Sequence, residues 1–231
     1  MLHSWDWSET SLILDLFTRD QGRIAAVAKG AKRPYSQLRP VLMPFQRLLV
    51  LTTQPKAAAG AEGADILLLR SAEYAGAGAM LPPARLFSGF YCNELLMKLL
   101  ARADPHPGLF DAYADALQAL AVADDDAPLR AFELLLLRET GVLPDLALCT
   151  TTQDAVQPER SYRLDSDAGL MASNAADGSL PGSLCLAVQA ALHANDHGAL
   201  RQACQTALPA LRSRQVMLDV QKFIDRETPR P

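Results

Sequence analysis

The chain lacks a long apolar run, an export signal and every common nucleotide-binding or hydrolase motif, and it is poor in aromatic residues. Each absence removes a class of function. A bilayer span needs about 20 consecutive apolar residues, whereas the leucine block 134–137 is closed at once by Glu133 and Arg138. Asp6 and Glu9 stand where a secretion signal would be basic and then apolar, so no export is expected. The four cysteines, Cys92, Cys149, Cys185 and Cys204, are widely spaced, which fits reduced thiols and a cytoplasmic location. No GxxxxGK[ST] loop is present, which argues against an ATP-driven motor; no GxSxG or HExxH is present either. Gly76-Ala77-Gly78 lacks a third glycine and reads as a linker. Aromatics are 6% of the 231 residues, and Ala and Leu are abundant, which disfavours an all-β fold.

What is present falls into two patterns. The first 75 or so residues alternate with a period of two. Leu12 to Phe17 is partly apolar on both faces, Asp20-Gln21-Gly22 is a turn, and Arg23 to Lys29 alternates again. In that second run Arg23, Ala25, Val27 and Lys29 share one face, opposite Ile24, Ala26 and Ala28. Further strands are expected from Leu2 to Trp5, from Phe45 to Leu51 after Pro44, and from Ile66 to Leu69 or on to Tyr74. Five short strands suit a small barrel or an OB-fold; strand count alone does not separate the two.

Beyond the Gly/Ala-rich stretch 75–79 the period becomes 3.6. Helices are expected over Leu86 to Leu100, over Leu109 to Leu120, and from Leu129 to Thr140. Asp124-Asp125-Asp126 precedes the third at the end where carboxylates are favoured, and Gly141 follows as its C′ residue. Residues from about 145 to 180 read as irregular, with at most a hairpin around Tyr162 to Met171. Three modest helices, at about 183–194, 199–207 and 211–226, close the chain. These boundaries divide the protein into a strand domain, 1–78, and a helical domain, 79–231.

Charge is unevenly spread. From Arg19 to Arg47 there are seven cations and one acid, Asp20, a local +6 that leaves −10 for the remainder of a chain whose net charge is −4. The stretch KGAKRPYSQLR, from Lys29 to Arg39, looks like an exposed loop. Lys29, Lys32, Arg33 and Arg39, with Arg23 and Arg47 nearby, would meet phosphates, and Tyr35 would stack on a base. The alternatives are a solvated loop with no ligand, or an adaptor protein whose basic loop binds an acidic protein.

Metal signals are weak. His193 and His197 stand four apart, but Asn195, Asp196 and Gly198 suggest a helix ending between them, and no third ligand is evident. Cys149 has three threonines after it in place of a CxxC partner.

Several blocks together resemble the RecO family of recombination mediators: SETSLILDLFT (Ser8 to Thr18), GRIAAVAKGAKRP (Gly22 to Pro34), LRPVLMPFQRLLV (Leu38 to Val50), SGFYCNELLMKLL (Ser88 to Leu100), LRAFELLLLRETGVLPDLALC (Leu129 to Cys149) and LRSRQVMLDV near the end. The resemblance implies an α+β chain: a five-stranded N-terminal OB-fold barrel, then a helical domain with a short irregular insertion. It implies a non-enzymatic role in DNA repair and recombination, with no catalytic residues and a nucleoid-associated location. The implied partners are single- and double-stranded DNA, the C-terminal tail of single-stranded-DNA-binding protein, RecR and, indirectly, RecA, with no membrane. The tail's carboxylate would meet Arg130, beside Phe132, Leu136 and Tyr113. Some members carry a four-cysteine zinc site. Cys149 matches its first position and the companions are missing, so no cofactor is expected.

Overall fold

The computed structural model describes residues 1–55, 66–76, 78–165, 167–174 and 179–211. The expected helix over 211–226 and the LRSRQVMLDV block lie, after Leu211, outside the described residues. The chain forms two compact units, Met1–Val122 and Ala123–Pro231.

The first unit is built on a five-stranded sheet: β1 (His3–Asp6), β2 (Leu12–Thr18), β3 (Gly22–Ala28), β4 (Leu48–Thr53) and β5 (Ile66–Tyr74). Their order is β1-β2-β3-β5-β4, antiparallel except for the β3/β5 pair, which is parallel. This is the expected OB-type arrangement in partly open form, since β1 and β4 are edge strands among the described residues. Between β3 and β4 lies an unforeseen single helical turn, α1 (Leu38–Val41). β4 begins three residues later than expected because Phe45 adopts a left-handed φ of 65° and drops its ring onto Phe90, 5.0 Å away.

The reason both faces of β2 read as partly apolar is that both are covered. One face packs inward: Leu14, Leu16, Ile24, Ala26 and Ala28 meet Leu42, Leu69 and Ala72. The other is covered at one end by two helices, α2 (Leu86–Leu99) and α3 (Pro107–Val122). Phe17 lies against Phe110 and Tyr113, with ring centroids 5.6 and 6.3 Å apart. Gly22 opens β3 with φ +65°, and a Cβ there would fall 2.0 Å from the Asp104 carbonyl oxygen, so only glycine fits. A polar chain ties the helices to the first strand: the buried Tyr113 hydroxyl donates to Asn93 Oδ1, and Asn93 Nδ2 donates to the Leu2 carbonyl at 2.8 Å. The change of period at residue 79 thus marks where helices begin, while the first compact unit runs on through α3.

The second unit holds α4 (Ala127–Glu139), a small antiparallel sheet, α5 (Gly182–Ala194) and α6 (His197–Leu211). Asp125 Oδ1 accepts from the Ala127 amide at 2.9 Å, supplying the carboxylate expected at the start of α4. Gly141 follows the helix with φ +73°, as its position predicts. The irregular segment contains the expected hairpin, β6 (Ser161–Asp165) with β7 (Gly169–Ser173), and also a two-residue strand, β8 (Leu180–Pro181), on the other side of β6. Phe132, Leu136, Leu192, Leu200 and Cys204 are buried at its core.

Candidate nucleic-acid interface

Sequence alternation put Arg23 and Lys29 on one face of one strand, and that face is treated differently at its two ends. Arg23 is 8% exposed. Its guanidinium grips the buried Asp15 carboxylate with Nη2 at 2.9 Å and Nε at 3.4 Å, and Arg102 reaches the same carboxylate at 3.1 Å. Nη1 donates to the carbonyls of Leu96, Met97 and Leu100, the unsatisfied C-terminal end of α2. Arg23 therefore belongs to the packing of sheet against helix and leaves the set of phosphate-binding residues. All three guanidinium nitrogens are engaged within the protein at this depth.

Beyond the end of β3 the same run comes out into solvent. Gly30 has φ +72°, which turns the chain sharply away from the strand. The loop that follows is pinned. The Lys32 amide donates to the Thr10 carbonyl at 3.0 Å, Arg33 N to Gly30 O at 3.1 Å, and Ser36 N to Arg33 O at 3.0 Å. Lys32 Nζ pairs with Asp6 at 2.9 Å and donates to the Ser8 carbonyl at 3.4 Å. These bonds seat the loop against the β1–β2 connection. Lys29, Arg33, Tyr35 and Arg39 are exposed, Tyr35 at 95%. Among the described residues Lys29, Arg33 and Arg39 make no ion pair.

Two other cations of the basic run are engaged. Arg19 pairs with Asp111 on α3 at 2.9 Å, on the surface. Arg47 stands over the Phe110 ring, its guanidinium carbon 5.8 Å from the centroid, at a cleft of about 440 Å³ between α3 and the sheet. The formal +6 of this stretch thus reduces to a smaller group of uncompensated cations, and most of it lies between Lys29 and Arg39.

Sequence reasoning missed the aromatic side of this surface. Trp5 and Trp7 are 44% and 60% exposed, and the Trp5 ring meets His3 edge-on at 4.4 Å. A signal was there to read: His, Trp and Trp recur at positions 3, 5 and 7, the period-two spacing that places them on one face of a strand.

The residues expected to hold a partner's tail are placed as follows. Arg130, in the first turn of α4, has a side chain 13% exposed and donates through Nη1 to both oxygens of Glu133 at 2.7 Å. Phe132 and Leu136 are 0% and 1% exposed. Both are core residues, so neither offers an apolar surface to a peptide. Tyr113 is buried in the other compact unit, and burial pushes its phenol well above the ordinary tyrosine range. Of the four, Arg130 alone is not a buried residue, and it stands near a helix start. Burial also raises the Cys204 thiol on α6, to about 12, with the Glu133 carboxylate adding to the rise and Arg130 opposing it.

Cys149 is the residue that the resemblance aligns with the first position of a zinc motif. The Thr152 and Thr151 hydroxyls, with backbone groups, stabilise its thiolate and lower it to about 6; the Thr151 hydroxyl stands 3.6 Å from Sγ. Among the described residues no three His, Cys, Asp or Glu side chains come together, so the donor set around Cys149 does not fit a four-ligand zinc ion. His193 and His197 fall on separate helices, parted by Asn195 in a left-handed conformation, and His193 meets Gln189 at 3.1 Å. No helix among the described residues is long and apolar enough to cross a membrane.

Comparison with known proteins agrees with this architecture. The family model "Recombination protein O N terminal" matches residues 1–59, and "Recombination protein O C terminal" matches residues 82–215. The chain is 46% identical to a DNA repair protein RecO of Verminephrobacter eiseniae, covering 96% of this chain and 94% of that protein. It is 45% identical to that of a Polaromonas species (94% and 85%) and 49% identical to that of Polaromonas naphthalenivorans (83% and 76%). The chain belongs to the RecO family of DNA repair proteins.

Proposed function

We propose that this protein serves DNA repair as a non-enzymatic mediator that binds single-stranded DNA through the loop after β3 and anneals complementary strands. The observation that carries the reading is the pinned loop, in which Lys29, Arg33 and Arg39 have no ion-pair partner among the described residues and Tyr35 stands almost wholly in solvent. Uncompensated cations on a fixed loop neutralise phosphates and release counterions. Cations bridging two strands also lower the repulsion between them, so annealing needs no nucleotide hydrolysis. Tyr35 adds a stacking surface for a base.

The wider role follows the family: engagement of the acidic C-terminal tail of single-stranded-DNA-binding protein, and loading of RecA together with RecR. Within the second unit Arg130 is the residue for the tail's carboxylate. To take it, the guanidinium would exchange one hydrogen bond from Glu133 to the incoming carboxylate, a like-for-like, charge-assisted replacement.

Annealing of complementary strands, bare or coated with single-stranded-DNA-binding protein, tests both parts. Wild-type protein is expected to anneal both, and removing the tail should slow only the coated reaction. Changing Lys29, Arg33 and Arg39 together to Ala should slow both; Arg130→Ala should slow only the coated one. Wild-type rates from the triple variant would refute the loop, and would favour an acidic protein as the loop's ligand.

A further inference from the structure

We infer that the solvent-facing side of β1 and the residue that follows it, which together carry both tryptophans of the chain, form a stacking platform for the bases of a single strand. The inference rests on the proposed binding of phosphates by the adjoining loop and adds to it where the bases go.

Strand register assembles the platform. Trp5 is paired with Ile13, and Ile13 with Val27, so the three side chains form one row across β1, β2 and β3 on the outer face. The Trp7 amide donates to the Ser11 carbonyl at 3.1 Å, which continues the ladder past the end of β1. The next row on the same face therefore holds Trp7, Ser11 and Lys29, two residues further along each chain. The other end of this face is closed: Asp15 and Arg23 are sealed under α2, and Phe17 under Phe110 and Tyr113. Helices cover the face up to Trp5; at the end next to the basic loop Trp7 and Lys29 are exposed, with Ser11 buried between them.

Two features make this open end a binding surface. Large indoles are seldom left in water, yet the chain has only two tryptophans and exposes both. The strand is also rigid. Leu2 is 2% exposed, its amide donates to Asp15 O at 2.9 Å, and its carbonyl accepts from Asn93 at 2.8 Å. A fixed indole loses little freedom when a base stacks on it.

Charge complementarity selects the occupant. Lys29 lies in the Trp7 row, and Lys32 pairs with Asp6, which alternation places on the opposite face of the strand from the tryptophans, answering an acid that would otherwise repel a phosphate nearby. Aromatic faces flanked by cations suit a strand whose bases are splayed and whose backbone is anionic. A duplex, with its bases already stacked, gains nothing from them.

The two tryptophans are the only ones present, so indole emission reports this site alone. The full chain is titrated with oligothymidylate and with an abasic phosphodiester strand of equal length, following indole emission and, in parallel, the anisotropy of end-labelled strands. We expect oligothymidylate to quench emission strongly and to bind roughly ten-fold or more tightly than the abasic strand. Changing Trp5 and Trp7 together to Ala should remove that preference and leave the salt dependence unchanged, because stacking releases no counterions. Equal affinity for both strands with unchanged emission would overturn the platform and leave the phosphate-binding loop standing. No anisotropy change with either strand would overturn both. Strand preference and emission are read on the wild-type chain, and so decide the matter even if the double variant fails to fold.

Discussion

Arg23 and Lys29 are six residues apart on one alternating run, and the molecule uses them for opposite purposes. Arg23 lies where the sheet passes under α2, and all three of its guanidinium nitrogens are engaged, by Asp15 and by carbonyls at the end of that helix. Lys29 lies where the strand has ended and the helices no longer cover it. A cation of this segment is thus open to an anion, with no partner to displace, only where it is uncompensated. Arg130 of the second unit is the contrasting case: it is paired with Glu133, so a partner's carboxylate has to compete with that pair.

The contrast should show most strongly in Arg23→Ala. This change leaves Asp15 in the interior with only the half-exposed Arg102 as partner, and orphans the end of α2. A loss of about 3–5 kcal/mol in urea unfolding is expected, with DNA affinity of the remaining folded protein intact. Next, Arg130→Ala removes the ion-pair partner at 2.7 Å from the buried Glu133 carboxylate and should cost about 1–3 kcal/mol; Arg130→Ala with Glu133→Gln should recover much of that, while binding of a tail peptide stays lost. Changing Lys29, Arg33 and Arg39 to Ala, by contrast, should move stability by no more than about 0.5 kcal/mol, as surface substitutions do. The smallest effect concerns the thiols. All three of Cys149, Cys185 and Cys204 are buried, but threonine hydroxyls lower Cys149 to about 6 while burial pushes Cys185 up to about 11 and Cys204 up to about 12, so Cys149 should be alkylated ahead of the other two. Its rate should fall only below about pH 6, which mass mapping of iodoacetamide adducts across a pH series will show.

Much of the fold was legible because local pattern and tertiary fate coincide. Strand alternation in Leu12 to Ala28 and the 3.6 period from Leu86 onward survive in β2, β3, α2, α3 and α4, and Gly141 marks a helix end in both readings. Other features were legible only in part or not at all. β8 is two residues long and contains Pro181, so no periodicity can announce it. Phe45 reads as a strand start, but its left-handed backbone is set by packing on Phe90. The candidate site was half legible: the loop's composition reveals its cations, but which of them are neutralised depends on Asp15, Asp111 and Asp6, acids remote from their partners in sequence. The tryptophan face had a period-two signal, which becomes informative once β1 is seen to be an edge strand with an uncovered outer side.

Uncompensated cations after β3, and not the arginine within it, hold the nucleic acid in this reading. The decisive quantity is the slope of log K against log salt for a single-stranded oligonucleotide, measured for wild type, for the Lys29, Arg33 and Arg39 triple alanine variant, and for folded Arg23→Lys. We predict a slope shallower by roughly 0.7 for each phosphate that the triple variant no longer neutralises, and an unchanged slope for Arg23→Lys. A wild-type slope in the triple variant would contradict the assignment.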